Sequence, residues 1–556
     1  MLDRTALARL GKLVAADVAA GRPGPSSQEV SRQLEMEPEV VLDLTDMLVA
    51  EAGKKRPNQK LVTAYAYMIG QALEYARYGI EGGRSAAAEL VEAARHRLLA
   101  MGKDGRVEPA LLLMVLREFA RAKLDPGPDL RRLMERLTQT QANSGATTEA
   151  SMPSADPLGA LNAHLEELSR QVGGDTFEFY ALVQEMAGAF PDDHRAAMGA
   201  WLLQSREPTA REAALGWLLD TSASVRNSTA SGIEQAAAAG GISGIMLRRL
   251  IALRNWLPEP DRMSVDRAIQ VCRRKGVEIS SPPQAQVRDV LASGIDGAGA
   301  QSIFILVREG RRNAVACVLL KHGIGVRDAW ARHSLTRSEL GDFMAQTREI
   351  ELFPISLDYV RIAMAHALVV NLASGVMAPF ALLDVIETAG LQGIQPEEVS
   401  ADGILDRLEA AADLALTGSD VVAQLLARSR RLPDELGFLD SWFEADTEAE
   451  QLLGGRKLSR PQRISLVQNE LLPPHIPAWV ERLAWTALTL QNGENDEPWE
   501  EFFVSARELK AGRPVGEIPL MAHVAVLTVE AYAARHPERR NHPGSQRRKT
   551  ASPRRA

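Results

Sequence analysis

The chain has 556 residues, of which 46% are hydrophobic, 24% charged and only 5% aromatic. Its apolar residues are mainly Ala and Leu, which favour helices over strands, so the composition predicts a mostly α-helical protein with a sizeable core. Two cysteines, Cys272 and Cys317, exclude a disulfide framework and cysteine-rich zinc modules. We expect both to be small, buried side chains in a reducing compartment, and we predict a cytoplasmic protein.

The net charge of −8 divides into an acidic body and a basic tail. Residues 535–556 carry one acid, Glu538, and eight basic residues, and subtracting this +7 from −8 leaves −15 for the rest of the chain. Such a body is not a nucleic-acid surface as a whole, whereas the tail attracts polyanions. The basic residues of the tail, which are our candidates for polyanion binding, are Arg535, Arg539, Arg540, Arg547, Arg548, Lys549, Arg554 and Arg555.

Residues 1–138 are predicted to form a separate N-terminal helical domain, because apolar residues recur at three- and four-residue steps. Charges interrupt the first residues, so we expect no signal peptide. Residues 27–44 resemble a helix-turn-helix, but the second helix offers acids, Glu39, Asp43 and Asp46, where a DNA reader needs basic or amide side chains. A structural helical hairpin is the favoured interpretation, and a DNA-binding unit is the alternative.

A linker is predicted at residues 139–157, which are rich in Thr, Ser, Ala and Gly and almost free of large apolar residues. We expect it to be flexible, because little in it compensates the entropy of ordering.

The segment LLDTSASVRNSTASGI, residues 218–233, indicates the end of one helix, a turn that begins with Asp220, and the start of a second helix. It resembles the turn of a HEAT repeat, in which the Asp caps the turn, Val225 packs inward and Arg226 reaches back toward an Asp. The resemblance is clear only around residues 195–274. It implies stacked helix pairs, an α-solenoid array that we extend over residues 158–433, and a scaffold without chemistry of its own.

The same region shows a weak internal similarity. Trp201 is followed by Arg211, and Trp217 by Arg226, at an offset of about sixteen residues. This offset is one helix plus a turn, or half of a usual helical-repeat period.

Residues 302–321 break the helical pattern with two apolar, β-branched runs around a turn that contains Gly310. They predict a β-hairpin, although a short buried helix fits the second run nearly as well.

The uncharged segment 362–383 is long enough to span a bilayer, but Gly375 and Pro379 favour a turn between two buried helices, so we predict no membrane association. An acidic helical region with four tryptophans is predicted at 434–534, and a disordered basic tail at 535–556.

No local signature of catalysis is present in the sequence. The turn at 240–244 lacks the spacing of a nucleophile elbow, and Cys317 with His322 would need a third, orienting group. Asp192, Asp193 and His194 are more typical of a helix first turn than of a metal site, and His366 of a core histidine. We therefore assign no catalytic, cofactor-binding or metal-binding residue, and expect no enzyme and no cofactor.

The favoured function is a non-enzymatic helical-repeat scaffold that binds a protein partner. The alternative is a nucleic-acid-associated regulatory protein that uses the N-terminal helical hairpin and makes non-specific contacts through the basic tail. The sequence does not identify the partner.

Overall fold

The structure is a computed structural model that describes residues 2–19, 25–143, 157–412, 418–454, 458–493 and 497–536. It is mostly helical, as predicted, with one antiparallel sheet of five strands. Contacts divide the chain into two compact units. The first comprises Met1–Gly294, Gly299–Val399 and Asn492–Asn495, and the second comprises Ile295–Ala298, Ser400–Gln491 and Asp496–Ala556.

Seven helices form the N-terminal part of the first unit. They are α1 (Arg4–Ala19), α2 (Pro25–Met36), α3 (Val41–Ala52), α4 (Gln59–Glu81), α5 (Ser85–Lys103), α6 (Pro109–Arg121) and α7 (Pro128–Asn143). Helix α4 lies at their centre, because it packs against α1, α2, α3, α5 and α6. Apolar residues three or four positions apart, such as Leu73 and Ala76, bury one face of α4 in this core.

The helix-turn-helix candidate corresponds to α2 and α3, which join this core. Helix α3 buries Val41, Leu44 and Leu48. Of its acids, Asp46 receives hydrogen bonds from Arg4 at 2.6 Å and Arg97 at 2.8 Å. This acid therefore serves an ion-pair network on the surface of these helices, where Arg4 and Arg97 are exposed.

Helix α7 continues to Asn143, so the first residues of the predicted linker are helical. Residues 144–156 of that linker lie outside the described residues. Helix α6 also packs against α9 (Thr176–Ala187), and Arg117 of α6 pairs with Glu185 of α9 at 2.9 Å.

The middle of the first unit contains seven more helices. They are α8 (Pro157–Gln171), α9 (Thr176–Ala187), α10 (Asp192–Gln204), α11 (Pro208–Ala213), which a 3-10 turn (Ala214–Leu219) continues, α12 (Ala223–Ala238), α13 (Gly244–Trp256) and α14 (Glu259–Arg274). Helix α12 packs against both α10 and α14, whereas α11 packs against α9 and α10.

A sheet follows α14, with strands β1 (Gln286–Ser293), β2 (Ala300–Glu309), β3 (Arg312–Lys321), β4 (Gly325–Leu335) and β5 (Leu352–Pro354) in the order β4-β3-β2-β1-β5. Helix α15 (Arg337–Gln346) connects β4 to β5. The predicted hairpin at 302–321 is β2 and β3, joined through Gly310 at φ 59°. The sequence analysis missed β1, β4 and β5. The sheet interrupts the helical array that was predicted over residues 158–433.

Strand β4 escaped detection because polar residues stand where a simple strand would be apolar. Its Arg327 and Asp328 form ion pairs with Glu81 and Lys123 of the N-terminal part, at 2.9 and 2.8 Å. A pattern of charges that is explained only by distant partners carries no strand signal of its own.

Two helices after the sheet, α16 (Leu357–Ser374) and α17 (Leu382–Ala389), form the hairpin predicted for residues 362–383. Gly375 ends α16 with φ 72°, and the Asn371 side chain bonds the backbone of Val326 and Val376 across the turn. No helix among the described residues is both long and apolar enough to cross a membrane.

The second unit contains α18 (Ala401–Ala411), α19 (Ser419–Arg428), α20 (Leu432–Glu435), α21 (Thr447–Gly454), α22 (Arg460–Leu466), α23 (Leu472–Gln491), α24 (Trp499–Lys510) and α25 (Pro519–Arg535). Its core holds Trp442, with ring centroids 5.5 Å from Trp479 and 5.9 Å from Phe502. Trp442 Nε1 donates to the carbonyl of Ile295 at 2.8 Å. Helices α18 to α20 lie in the Ser400–Gln491 part of this unit, whereas the predicted array ran to residue 433.

Candidate functional site: the first turns of α10, α12 and α14

Asp220 organises the turn before α12. Its Oδ1 accepts a hydrogen bond from the backbone N–H of Ser222 at 2.8 Å. Both carboxylate oxygens also accept from Arg195 of α10, Oδ2 from Nε at 3.0 Å and Oδ1 from Nη2 at 2.9 Å. Two parallel charge-assisted bonds fix direction as well as distance. Asp220 therefore shapes its own turn and connects it to α10.

Arg226 makes the next connection. Its Nη1 donates to the carbonyls of Asp220 at 2.8 Å and Thr221 at 3.0 Å, and its Nε donates to Asp261 of α14 at 2.7 Å. The neighbouring Val225 is fully buried. The side chains of Arg226 and Asp261 are only 9% and 7% exposed, so this ion pair lies inside the protein.

An arginine contact with the backbone recurs in α10, α12 and α14, which we call the row. The fourth residue of α10, α12 and α14 is Arg195, Arg226 and Arg262, respectively. Each guanidinium donates to the carbonyl five residues earlier, in a bond of 3.1 Å to Phe190, 3.0 Å to Thr221 or 2.8 Å to Leu257. The three arginines are 31 and 36 residues apart. This spacing falls within the period of helical repeats.

Sequence reasoning identified Asp220, Val225 and Arg226 but missed Arg195 and Arg262. The sixteen-residue offset compared Arg226 with Arg211, which lies in α11. The signal that would have found the row is an arginine at the fourth position of every second helix.

These arginines are structural cations. Burial alone would lower the pKa of Arg195, but the hydrogen bond and charge of Asp220 outweigh it and raise that pKa above its ordinary value. A guanidinium that stays charged cannot exchange protons at neutral pH. The row of first turns therefore provides ionic ties between helices rather than acid–base chemistry.

A second buried network joins α11, α13 and α17. Arg249 of α13 donates to Glu212 of α11 at 3.0 Å and to Glu387 of α17 at 2.8 Å, and it covers the ring of Phe177 at 4.6 Å. Arg248 adds a bond to Glu387 at 2.9 Å. Burial would raise the pKa of Glu387, but the two arginines lower it below its ordinary value. The carboxylate is thus held ionised.

Glu81 forms a third buried network at the end of α4. Its carboxylate accepts from Arg77 at 2.8 Å, Lys321 at 2.6 Å and Arg327 at 2.9 Å. Although burial favours the protonated acid, the hydrogen bonds from Lys321 and Arg77 and the charge of Arg327 leave the pKa of Glu81 below its usual range. One carboxylate thus connects the N-terminal helices with strands β3 and β4.

The residues considered in the sequence analysis as possible catalytic groups make contacts that stabilise the fold. Burial raises the pKa of Cys317 to about 12, so its thiol is protonated at neutral pH and is a poor nucleophile. His366 Nδ1 accepts from the backbone N–H of Val399 at 3.2 Å. Asp192 pairs with Arg195 at 3.1 Å, and Ser243 caps α13 through the N–H of Met246.

Most of the basic tail lies outside the described residues, which end at His536. This applies to seven of its candidate polyanion-binding residues: Arg539, Arg540, Arg547, Arg548, Lys549, Arg554 and Arg555. The eighth, Arg535, ends α25 and forms an ion pair with Glu450. Its own charge is therefore satisfied within the second unit.

Three family models match parts of this chain. They are described as the N-terminal domain of the uncharacterised protein y4lR (residues 8–127), the Y4lR second domain (191–276) and the Y4lR C-terminal helical domain (402–533). The chain is 26% identical to the uncharacterized protein y4lR of Sinorhizobium fredii (strain NBRC 101917 / NGR234) over 475 residues, which are 84% of this chain and 88% of that protein. No solved structure matches the chain.

The second matched segment follows structural boundaries. The second segment begins just before Asp192, where α10 starts, and ends just after Arg274, where α14 ends. The row of arginine turns is therefore contained in one matched domain. The sheet lies between the second and third matched segments.

Proposed function

We propose that this protein is a non-enzymatic scaffold whose central helices form a HEAT-like array that binds a protein partner. The observation that carries the proposal is the recurring arginine turn in α10, α12 and α14. Each turn makes the same backbone contact. Two of the arginines also reach an aspartate further along the row: Arg195 reaches Asp220 in the turn before α12, and Arg226 reaches Asp261 in α14. Repetition of one supersecondary unit is how helical solenoids extend a surface.

The chemistry of the turns supports binding rather than catalysis. Their polar groups are consumed by ion pairs and backbone bonds, and Cys317, the thiol weighed for catalysis, is protonated at neutral pH. Helical-repeat surfaces act through extended contact with a partner. Met263 on α14 is 69% exposed, the largest exposure among the large apolar side chains of the described residues. It is the side chain of this row that a partner would cover with the greatest apolar gain.

The experiment is affinity capture with the full chain at low and high salt, with and without nuclease, comparing the unaltered protein with Met263→Asp. Arg267→Asp, one helical turn further along α14 at an exposed site, serves as the control for added negative charge. A protein partner that survives nuclease and high salt, and that Met263→Asp alone releases, supports the scaffold. Loss of every partner with nuclease contradicts it.

A second function, non-specific contact with nucleic acid, rests on the charge of residues 535–556, where eight basic side chains face one acid. Such a segment binds phosphates by counterion release without reading bases. Partners that disappear with nuclease or on removal of residues 537–556 would favour this regulatory function over the protein scaffold.

A further inference from the structure

Three acidic side chains and one imidazole meet in the second unit, where the segment before α21 lies against the first turn of α23. His475 Nε2 lies 4.0 Å from Asp446 Oδ2 and 3.8 Å from Glu448 Oε2. On the other side of the ring, Nδ1 lies 3.5 Å from Glu444 Oε1. Ligand atoms of Glu444, Asp446 and His475 all fall within 4.8 Å of one another.

Glu444 orients the imidazole. Its Oε1 accepts a hydrogen bond from Trp479 Nε1 at 2.8 Å, which fixes the carboxylate against α23. His475 Nδ1 is buried and lies 3.5 Å from Oε1 of this carboxylate. A carboxylate behind one ring nitrogen, with the other nitrogen facing further oxygens, is the arrangement that metal-binding histidines use.

The facing carboxylates are free to act as ligands. Asp446 Oδ1 caps the N–H of Ala449 at 2.8 Å, which leaves Oδ2 toward His475. Glu448 is 57% exposed, so its side chain can move without disturbing the core. Oxygen and nitrogen atoms bound to one ion at about 2.1 Å lie about 3.3 Å apart. Glu448 Oε2 at 3.8 Å and Asp446 Oδ2 at 4.0 Å therefore need to approach His475 Nε2 by about 0.5 and about 0.7 Å.

The charge of the cluster also favours a cation. Of its acids, Glu444 interacts with the guanidinium of Arg482, which lies over the Trp479 ring and is shared with Asp296 and Glu481. When the imidazole is neutral, three carboxylates and one guanidinium leave an excess of negative charge that a divalent ion would neutralise.

We propose that His475 Nε2, Asp446 and Glu448 bind one divalent transition-metal ion of the Zn²⁺ or Mn²⁺ type, with Glu444 orienting His475 from behind. An imidazole with two carboxylates suits these ions, whereas Ca²⁺ and Mg²⁺ prefer oxygen ligands alone. The bound ion ties the start of α21 to the start of α23. Sequence inspection assigned no metal ligands here, because His475 is 27 residues from the nearest of the two carboxylates.

The backbone around His475 restricts its position. A π-helix, Val467–Leu471, precedes α23, and Pro474 and Pro477 lie on either side of His475 in its first turns. Since prolines fix the backbone angle φ, the imidazole projects from a stiff segment. A pre-positioned ligand loses little entropy when the ion binds.

The test uses the full chain, freed of metal by a chelator, and measures binding of Zn²⁺, Mn²⁺, Mg²⁺ and Ca²⁺ separately by calorimetry and by metal content after dialysis. We expect one equivalent of Zn²⁺ or Mn²⁺ to bind and to raise the Tm, with much weaker binding of Mg²⁺ and Ca²⁺. His475→Gln and Glu448→Gln should each weaken binding at least about tenfold. Glu450→Gln, the next acid along α21, is the matched control and should change affinity less than about twofold.

Circular dichroism of each metal-free variant separates lost ligands from lost fold, and the exposed Glu448 makes its variant the decisive one. Affinity should also fall as the pH is lowered, because a proton then competes with the ion for His475 Nε2. Absence of binding by the unaltered chain, or equal affinity of the unaltered, Glu448→Gln and Glu450→Gln proteins, overturns the proposal.

Discussion

Arg226 and Asp261 form a buried ion pair of 2.7 Å that joins the first turn of α12 to the first turn of α14. The two residues are 35 positions apart in sequence. Arg226 also donates to two carbonyls of its own turn, so one side chain both closes the turn and connects neighbouring helices. Because of this double role, we expect substitutions of Arg226 to affect both the turn and the contact between helices.

Removing that guanidinium should destabilise the protein strongly. Arg226→Ala leaves Asp261 buried without its partner and two carbonyls without a donor, so we expect a loss of about 3–5 kcal/mol in the free energy of unfolding. Arg267→Ala removes a 3.4 Å pair with Glu234 that is half exposed, and should cost about 1 kcal/mol or less. Urea denaturation of both variants measures the contrast. Equal losses would contradict the role given to Arg226.

Val225 provides an independent measure of the same turn. The side chain is fully buried, so Val225→Asp places an unpaired charge in the core and should cost several kcal/mol, whereas Val225→Ala should cost about 2 kcal/mol. Thermal melting of the two variants is the measurement. A Val225→Asp protein that melts like the unaltered chain would show that the turn is not packed as described.

His333 should make stability depend on alkaline pH. Its Nδ1 lies 2.7 Å from Glu309 and its Nε2 lies 3.1 Å from Asp384, and these carboxylates raise its pKa to about 9 from an ordinary value near 6.5. Since the folded state has the higher pKa, the stabilisation is complete below pH 6.5 and is lost as the pH rises through about 9.

The comparison for this effect is His333→Gln. The stability difference between the unaltered protein and the variant should be largest near pH 6 and should shrink between pH 7 and 10, as followed by denaturant unfolding at each pH. A difference that stays constant over this range would show that His333 does not titrate between its two carboxylates.

The basic tail should carry most of any affinity for DNA. Removal of residues 537–556 deletes seven of its eight basic residues and leaves Arg535 on Glu450. If the tail binds phosphates, log K for the full chain should fall steeply with log salt, by about 0.9 per contacted phosphate, and show little dependence on sequence. Fluorescence anisotropy with two DNAs of different sequence, each at two salt concentrations, measures this. Unchanged affinity of the shortened chain would show that a folded surface binds the DNA, and the hairpin of α2 and α3 would be the first candidate.

The helices of this protein could be predicted largely from sequence, because their information is local. Apolar spacing in α4, the turn of Asp220 and Arg226, and the glycine that ends α16 all act within a few residues. The hairpin of β2 and β3 was recognisable for the same reason, since two β-branched runs flank a short turn.

Tertiary structure determined those features that depend on pairing between residues far apart in the sequence. Strand β4 forms because it pairs with β3. Its Arg327 pairs with Glu81 and its Asp328 with Lys123, and both partners are more than about 200 residues away in the sequence. The connection from Arg226 to Asp261 and the meeting of Asp446 with His475 likewise join separate helices. Composition and local periodicity determined that the chain is mostly helical and where its turns lie. Which charges meet was decided only by packing, because an ion pair requires proximity in space and leaves no local pattern in the sequence.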